Sequence, residues 1–305
     1  MSEAGTNQPD SPIPPIADLP AILLEAPPPA FVPGTGIPAR IPHLGHALLF
    51  FSIAGLSLFL IQAIMLALLP QAHSTAGLSP LALQPRWLVL AEIASYLLTL
   101  ALSWFIFPLF WHRPLPDGLS WNIAAAKRNL FKLIPLGIAL GLTVQAISSL
   151  VPMPKDIPMD EFFRTPADVW LITAFGTLLA PLFEEICFRG FLLPAFAIAY
   201  DWLSLPRTPL AREHWHRTTK LTTAGMLFSA TLTSILFALL HAQQLAHAWA
   251  ALFILFCVSL VLCLVRIRTA SVACSALVHA SYNLSVFTTV FLATGGYRHL
   301  ERITH

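Results

Sequence analysis

The sequence predicts an all-α fold: a polytopic membrane helix bundle of about seven transmembrane helices with an active site in its interior. Three observations predict it. The 305 residues are 56% hydrophobic and only 10% charged, with a mean hydropathy of +0.73. A soluble domain carries about 25% charged residues, so this chain has too little polar surface to cover a water-soluble body. Apolar stretches also recur at spanning length, which takes about 20 residues. Finally, several ionisable side chains lie inside those stretches rather than between them: Glu92, Glu184, Glu185, Arg189, His241 and His279.

The elements follow in chain order. Residues 1–42 hold eleven prolines, including Pro27-Pro28-Pro29. That composition suits neither a helix nor a packed core, so a disordered cytosolic tail is expected. The start MSEAGTNQPD lacks a basic region followed by an apolar run and does not read as a signal peptide. Residues 43–155 should form three transmembrane helices, over about 44–69, 87–111 and 130–151. Residues 165–295 should form the functional core, with spans over about 168–199, 222–245, 248–265 and 271–294; 296–305 is a short tail. The fourth span is long and charged, and reads as one tilted helix or two pieces.

Lys and Arg set orientation. With seven spans, Arg40, Arg113, Lys127, Arg128, Lys132, Arg207, Arg212, Arg217, Lys220, Arg266 and Arg268 fall on one side. Arg86, Lys155, Arg164, Arg298 and Arg302 fall on the other. Eleven against five predicts a cytosolic N-terminus and an outside C-terminus, in an inner or plasma membrane. No basic patch is interleaved with aromatics, so nucleic acid is not an expected partner. Cys187, Cys257, Cys263 and Cys274 lie in apolar segments without zinc or disulfide spacing, and read as small buried hydrophobes. The oligomeric state is not legible. No internal repeat supports a transporter built from repeats.

An ionisable group in mid-membrane is a functional candidate by default. Glu92 is the mildest case. It lies about two turns into the second span, can reach the interface or a partner helix, and reads as structural. Glu184-Glu185-Ile186-Cys187-Phe188-Arg189 is different. Two adjacent carboxylates in an apolar helix cannot both be charged without a partner. Glu185 and Arg189 are four residues apart and share one face, so they can pair. Glu184 projects about 100° away, has no in-helix cation and suits a general base. Phe237 and His241 end the fifth span; His279 and Asn283 share a face of the seventh. Each pair alone reads as ordinary helix packing. Together they put a carboxylate, two imidazoles and an amide on three helices that can converge.

The order EExxxR, FxxxH, HxxxN over residues 165–295 resembles the CPBP family, the type II CAAX prenyl endopeptidases and bacteriocin-processing enzymes. The resemblance implies a helical intramembrane endopeptidase acting on a membrane-associated peptide or protein, including prenylated CAAX-type substrates. It implies that Glu184 and His241 activate water, that His279 and Asn283 stabilise the oxyanion, and that Glu185, Arg189 and Phe237 support them. No cofactor is required on that reading. The alternative is a divalent metal such as zinc on Glu184, His241 and His279. The rival functions are a catalytically silent scaffold or regulator of the same fold, and a proton-coupled transporter.

The helical rise of about 1.5 Å per residue leaves a mismatch. It puts His279 roughly 16 Å from the turn at Arg268, His241 roughly 30 Å from Lys220, and Glu184 roughly 24 Å from Tyr200. The three can meet only if the ends of the fourth and fifth spans differ from those expected.

Overall fold

The computed structural model describes residues 40–68, 85–151 and 158–302. The Pro-rich tail expected over 1–42 therefore lies almost wholly outside the described residues. The described residues belong to one compact unit. Among the described residues there is no strand.

Among the described residues, seven helices are long and apolar enough to span a membrane: α1 (Leu44–Leu68), α2 (Pro85–Trp111), α5 (Leu130–Ser148), α6 (Pro166–Ser204), α8 (Thr223–Leu240), α9 (Trp249–Thr269) and α10 (Val272–Ala293). Short helices α3 (Leu115–Gly118) and α4 (Ile123–Arg128) lie between α2 and α5, and α7 (Pro209–Arg217) lies between α6 and α8. A 3-10 segment, Pro158–Phe163, precedes α6. Large apolar side chains such as Leu48, Phe59, Phe105, Leu109 and Leu292 stay exposed along the spans. That is the surface a helix bundle presents to lipid, not to water.

The helix starts are written in the sequence. Thr165 caps α6 by accepting from the Asp168 N–H, and Pro166 fills the first helical turn. Thr222 caps α8 through the Gly225 N–H, and Ser271 caps α10 through the Cys274 N–H. Ala270, in the left-handed conformation at φ 50°, ends α9 and reverses the chain into α10.

The 39-residue α6 is central, with half of its most apolar window buried against 17% for α1. It is one continuous helix, longer than the expected 168–199. It contains two wide π turns, Phe175–Leu179 and Ile186–Leu192. In each, an N–H reaches back five residues: Ala180 to the Phe175 carbonyl, and Leu193 to the Phe188 carbonyl. Each π turn ends two residues before a proline, Pro181 and Pro194. A proline inside a helix lacks the N–H and crowds the carbonyl four residues back, and a widened turn relieves both.

Packing brings α10 to this axis. Gly137 and Gly141 of α5 form a Gly-x-x-x-Gly face against Val278, Ser281, Tyr282 and Ser285 of α10. Without side chains there, the two backbones approach closely. A Cβ on Gly141 would sit 2.9 Å from the Tyr282 carbonyl oxygen.

The longer end of α6 removes part of the depth mismatch, since Glu184 lies 20 residues before Ser204, about 30 Å, the depth expected for His241. The α8 helix stops at Leu240, five residues short of the expected 245. The start of α10 is tucked under α3 and α4, where the Val272 N–H donates to the Ser120 carbonyl over 3.1 Å. Ala125 and Ala126 pack there with Cys274. His279 is thus deeper than its distance from the chain turn suggests. Cys187, Cys263 and Cys274 are buried as expected, but Cys257 is exposed on α9. Periodicity alone did not show which face of that uniformly apolar helix looks outward.

Candidate active site

The polar side chains gather where α6, α8 and α10 cross. Glu185 and Arg189 are both fully buried, and Arg189 Nη1 donates to Glu185 Oε1 over 2.8 Å. The pairing is the one their four-residue spacing predicts. Arg189 Nη2 also donates to the Ser259 carbonyl at 2.9 Å and meets its hydroxyl at 2.7 Å. Ser259 of α9 was not foreseen; a serine in a membrane helix carries no distinctive sequence signal.

His279 is joined to this pair. Its Nδ1 lies 3.0 Å from Glu185 Oε1. The Arg189 guanidinium makes that carboxyl an acceptor, so Nδ1 carries the proton and Nε2 is directed elsewhere. Nε2 lies 3.8 Å from Glu184 Oε2, too far for a hydrogen bond but within electrostatic reach. Ser259, Arg189, Glu185 and His279 thus form one connected line across α9, α6 and α10.

His241 is fixed in the same sense. Its Nδ1 lies 2.8 Å from the Phe237 carbonyl. A carbonyl only accepts, so Nδ1 is the donor and Nε2 keeps its lone pair. The Phe237 ring is the spacer of the site, 4.8 Å from the His241 ring, 6.0 Å from His279, and 5.1 Å below the Arg189 guanidinium.

Asn283 closes the group from α10. Its Nδ2 donates to the Gly176 carbonyl over 2.6 Å. That carbonyl has lost its helical partner. Ala180, four residues on, bonds Phe175 instead, and the fifth residue on, Pro181, has no N–H. Because the acceptor is a carbonyl, the amide orientation is determined, and one N–H of Asn283 remains.

A cavity of about 340 Å³ joins these residues; Glu184, His241, His279 and Asn283 all line it. Glu184 is the exposed member of the carboxylate pair, its side chain 20% accessible against 0% for Glu185. Each sequence-derived residue is therefore brought to the site: four on the cavity wall with Phe237, and Glu185 with Arg189 behind it. The rest of the wall is largely aliphatic and aromatic.

Glu92, expected to serve packing, stands in the cavity wall. It lines the same cavity and accepts from Tyr96 Oη at 2.7 Å. It is close enough to act electrostatically on Glu184 and His241. Tyr96 stacks on Phe183 with ring centroids 3.7 Å apart, which holds α2 against the turn that carries Glu184. The sequence placed Glu92 correctly in depth, but one chain does not reveal which side of α2 faces α6.

A metal would need Glu184, His241 and His279 to converge on one point. Among the described residues, no three His, Cys, Asp or Glu side chains gather closely enough to hold an ion. The donor set as arranged does not fit that group.

Fold and site define a multi-pass membrane protein with a buried carboxylate–imidazole centre. Residues 166–285 match a protein family described as Rce1-like, type II CAAX prenyl endopeptidase. The match contains every residue of the three motifs, so the family resemblance they carry is shown for this part of the chain, and the family implies a peptidase. No curated protein and no solved structure matches the chain.

Proposed function

We propose that the chain is an intramembrane endopeptidase whose water is activated by Glu184 and His241. The observation that carries the reading is the single cavity shared by Glu184, His241, His279 and Asn283, with both imidazoles held by their Nδ1 atoms. A water between Glu184 and His241 would give one proton to Glu184 while His241 Nε2 orients the other. The hydroxide oxygen then bonds to the scissile carbonyl carbon. The oxyanion would meet the spare N–H of Asn283 and Nε2–H of His279 in its doubly protonated form, a form that the anionic Glu185 is placed to stabilise. Collapse breaks the C–N bond, and Glu184 returns its proton to the leaving amine. The products are a carboxylic acid and an amine, and the balance needs no further reactant.

The chemistry is assigned to protein groups alone, because the three candidate ligands do not converge. The substrate is a membrane-associated peptide or protein, with a CAAX-type segment as the class the family suggests. Detergent-purified protein should cleave a quenched fluorogenic peptide carrying a lipid anchor near its scissile bond. Glu184→Gln should lower the rate by about 10³-fold or more, the scale of losing an essential base or nucleophile partner. Its melting temperature should be unchanged. Equal cleavage by the variant would sink the assignment.

A further inference from the structure

We propose that another cavity, at the basic end of the bundle, binds the headgroup of a phospholipid that carries both a phosphate and an amine. Binding there does not depend on the peptidase reading.

The cavity measures about 330 Å³ and shares no lining residue with the catalytic one. Four parts of the chain enclose it: the start of α1, the connection around α3, the C-terminal turns of α6 and the segment leading into α8. Arg40, Arg113 and Asp117 bring charge to its wall, and Ile41, Ile198 and Leu221 bring apolar surface. A wall of that mixed kind, at the level of the helix ends, suits an amphiphile better than a fully hydrated solute. Its surroundings have the same character. This end of the bundle holds eleven of the seventeen Lys and Arg residues, the composition that draws lipid phosphates. Next to Arg40, α7 carries Arg212 and Arg217 and leaves Leu210 exposed, as a helix does that lies along a membrane surface.

The charges of the wall are not balanced within the protein. The Arg40 guanidinium sits 3.3 Å from the centroid of the Trp215 ring. Its Nη1 donates to the Trp215 carbonyl over 2.7 Å, and its Nη2 donates to the Thr218 carbonyl. These neutral acceptors fix the side chain and leave it without a bonded counter-ion. Its Nε has no acceptor among the described residues. Asp201 acts on Arg40 from a distance, but its carboxylate is engaged by the N–H and the hydroxyl of Thr222. Arg113 and Asp117 stand four residues apart around α3, the spacing at which opposite charges on a helical turn meet. Among the described residues neither joins an ion pair. Both line the cavity instead. Two guanidiniums offer a phosphate charge-assisted donors. The carboxylate beside them would repel a bare phosphate and attract an ammonium, so a headgroup bearing both charges fits the wall best.

Arg40 also ties α7 to the start of α1, so the test is placed on Arg113 and Asp117, whose side chains have no such task. The full chain in a nonionic detergent is melted while dihexanoyl phosphatidylethanolamine is titrated into the micelles. Parallel titrations use dihexanoyl phosphatidylglycerol, which has the phosphate but no amine, and soluble phosphoethanolamine, which has both but no acyl chains. The melting temperature should rise saturably with phosphatidylethanolamine, and at a lower mole fraction than with phosphatidylglycerol. Arg113→Gln should melt normally without lipid and raise the half-saturating fraction about tenfold, the scale of one charge-assisted hydrogen bond. Asp117→Asn should respond to both lipids and lose the preference between them. Arg212→Gln removes a cation of the same end outside the cavity, and should stay within about twofold because exposed charges are screened. Equal half-saturation in Arg113→Gln and the unsubstituted chain, or equal losses in Arg113→Gln and Arg212→Gln, would overturn the site. Tighter binding of phosphatidylglycerol, or an Asp117→Asn variant that keeps the preference, would overturn the amine. Saturation by phosphoethanolamine at concentrations as low as those of the lipid would overturn the lipid in favour of a soluble ligand.

Discussion

Asn283 of α10 donates its side-chain N–H to the Gly176 carbonyl of α6 over 2.6 Å. The bond completes a backbone group that the π turn and Pro181 leave without a helical donor. Leaving a buried carbonyl unsatisfied costs about 1–3 kcal/mol. Asn283→Ala should therefore lower the melting temperature in detergent as well as the cleavage rate. Asn283→Asp, similar in shape but lacking the N–H, should destabilise at least as much. A variant with full stability and no activity would assign Asn283 to the chemistry alone.

Arg189→Met leaves Glu185 buried without its cation. Breaking one partner of a buried pair costs about 3–5 kcal/mol, whereas replacing both by neutral groups is far milder. Arg189→Met should thus melt early, and the double variant Glu185→Gln/Arg189→Met should recover most of the loss. Activity should not recover with it, because the amide no longer holds the His279 imidazole as a carboxylate does. Thermal melts and cleavage rates on the same three proteins measure both halves.

Gly141→Ala places a methyl group against the backbone of α10, 2.9 Å from the Tyr282 carbonyl oxygen. Overpacking of this kind costs about 1–3 kcal/mol. The expected outcome is a lower melting temperature and a loss of activity, since the displaced helix is the one that bears His279 and Asn283. Gly55→Ala, where a Cβ meets nothing within 4 Å, is the control and should change neither.

Incubation with a zinc chelator followed by its removal should leave the cleavage rate within about twofold of the untreated sample, well under the roughly 10³-fold loss expected when an essential catalytic group is removed. Loss of activity restored by added zinc would show that Glu184, His241 and His279 rearrange to bind an ion.

The seven spans were legible because each is long and apolar. The Glu185–Arg189 pair was legible because a spacing of four fixes a helical face. What was not legible depends on contacts between helices. Glu92 could be placed in depth but not in azimuth, so its position in the cavity wall emerges only with α2 packed on α6. Gly137 and Gly141 do carry a readable signal, the Gly-x-x-x-Gly spacing, but not the identity of the partner helix. The end of α8 at Leu240 was hidden because Ala242, Leu245 and Ala248 continue the apolar composition past the last helical turn.

The wide turns of α6 make the site sensitive to chain length in a way that substitution tables would not reveal. A π turn holds one more residue than the regular helix it replaces. Deleting one codon within Phe175–Leu179 would let α6 close into regular geometry with Glu184 kept on the same face. Deleting one within the regular stretch Pro166–Ala174 would instead turn Glu184 by about 100° against the start of the helix, and the carboxylate would leave the cavity while each apolar residue beyond it kept its identity. Relatives of this chain should therefore tolerate the loss of a single residue between Ala174 and Ala180 more readily than in the regular turn before it.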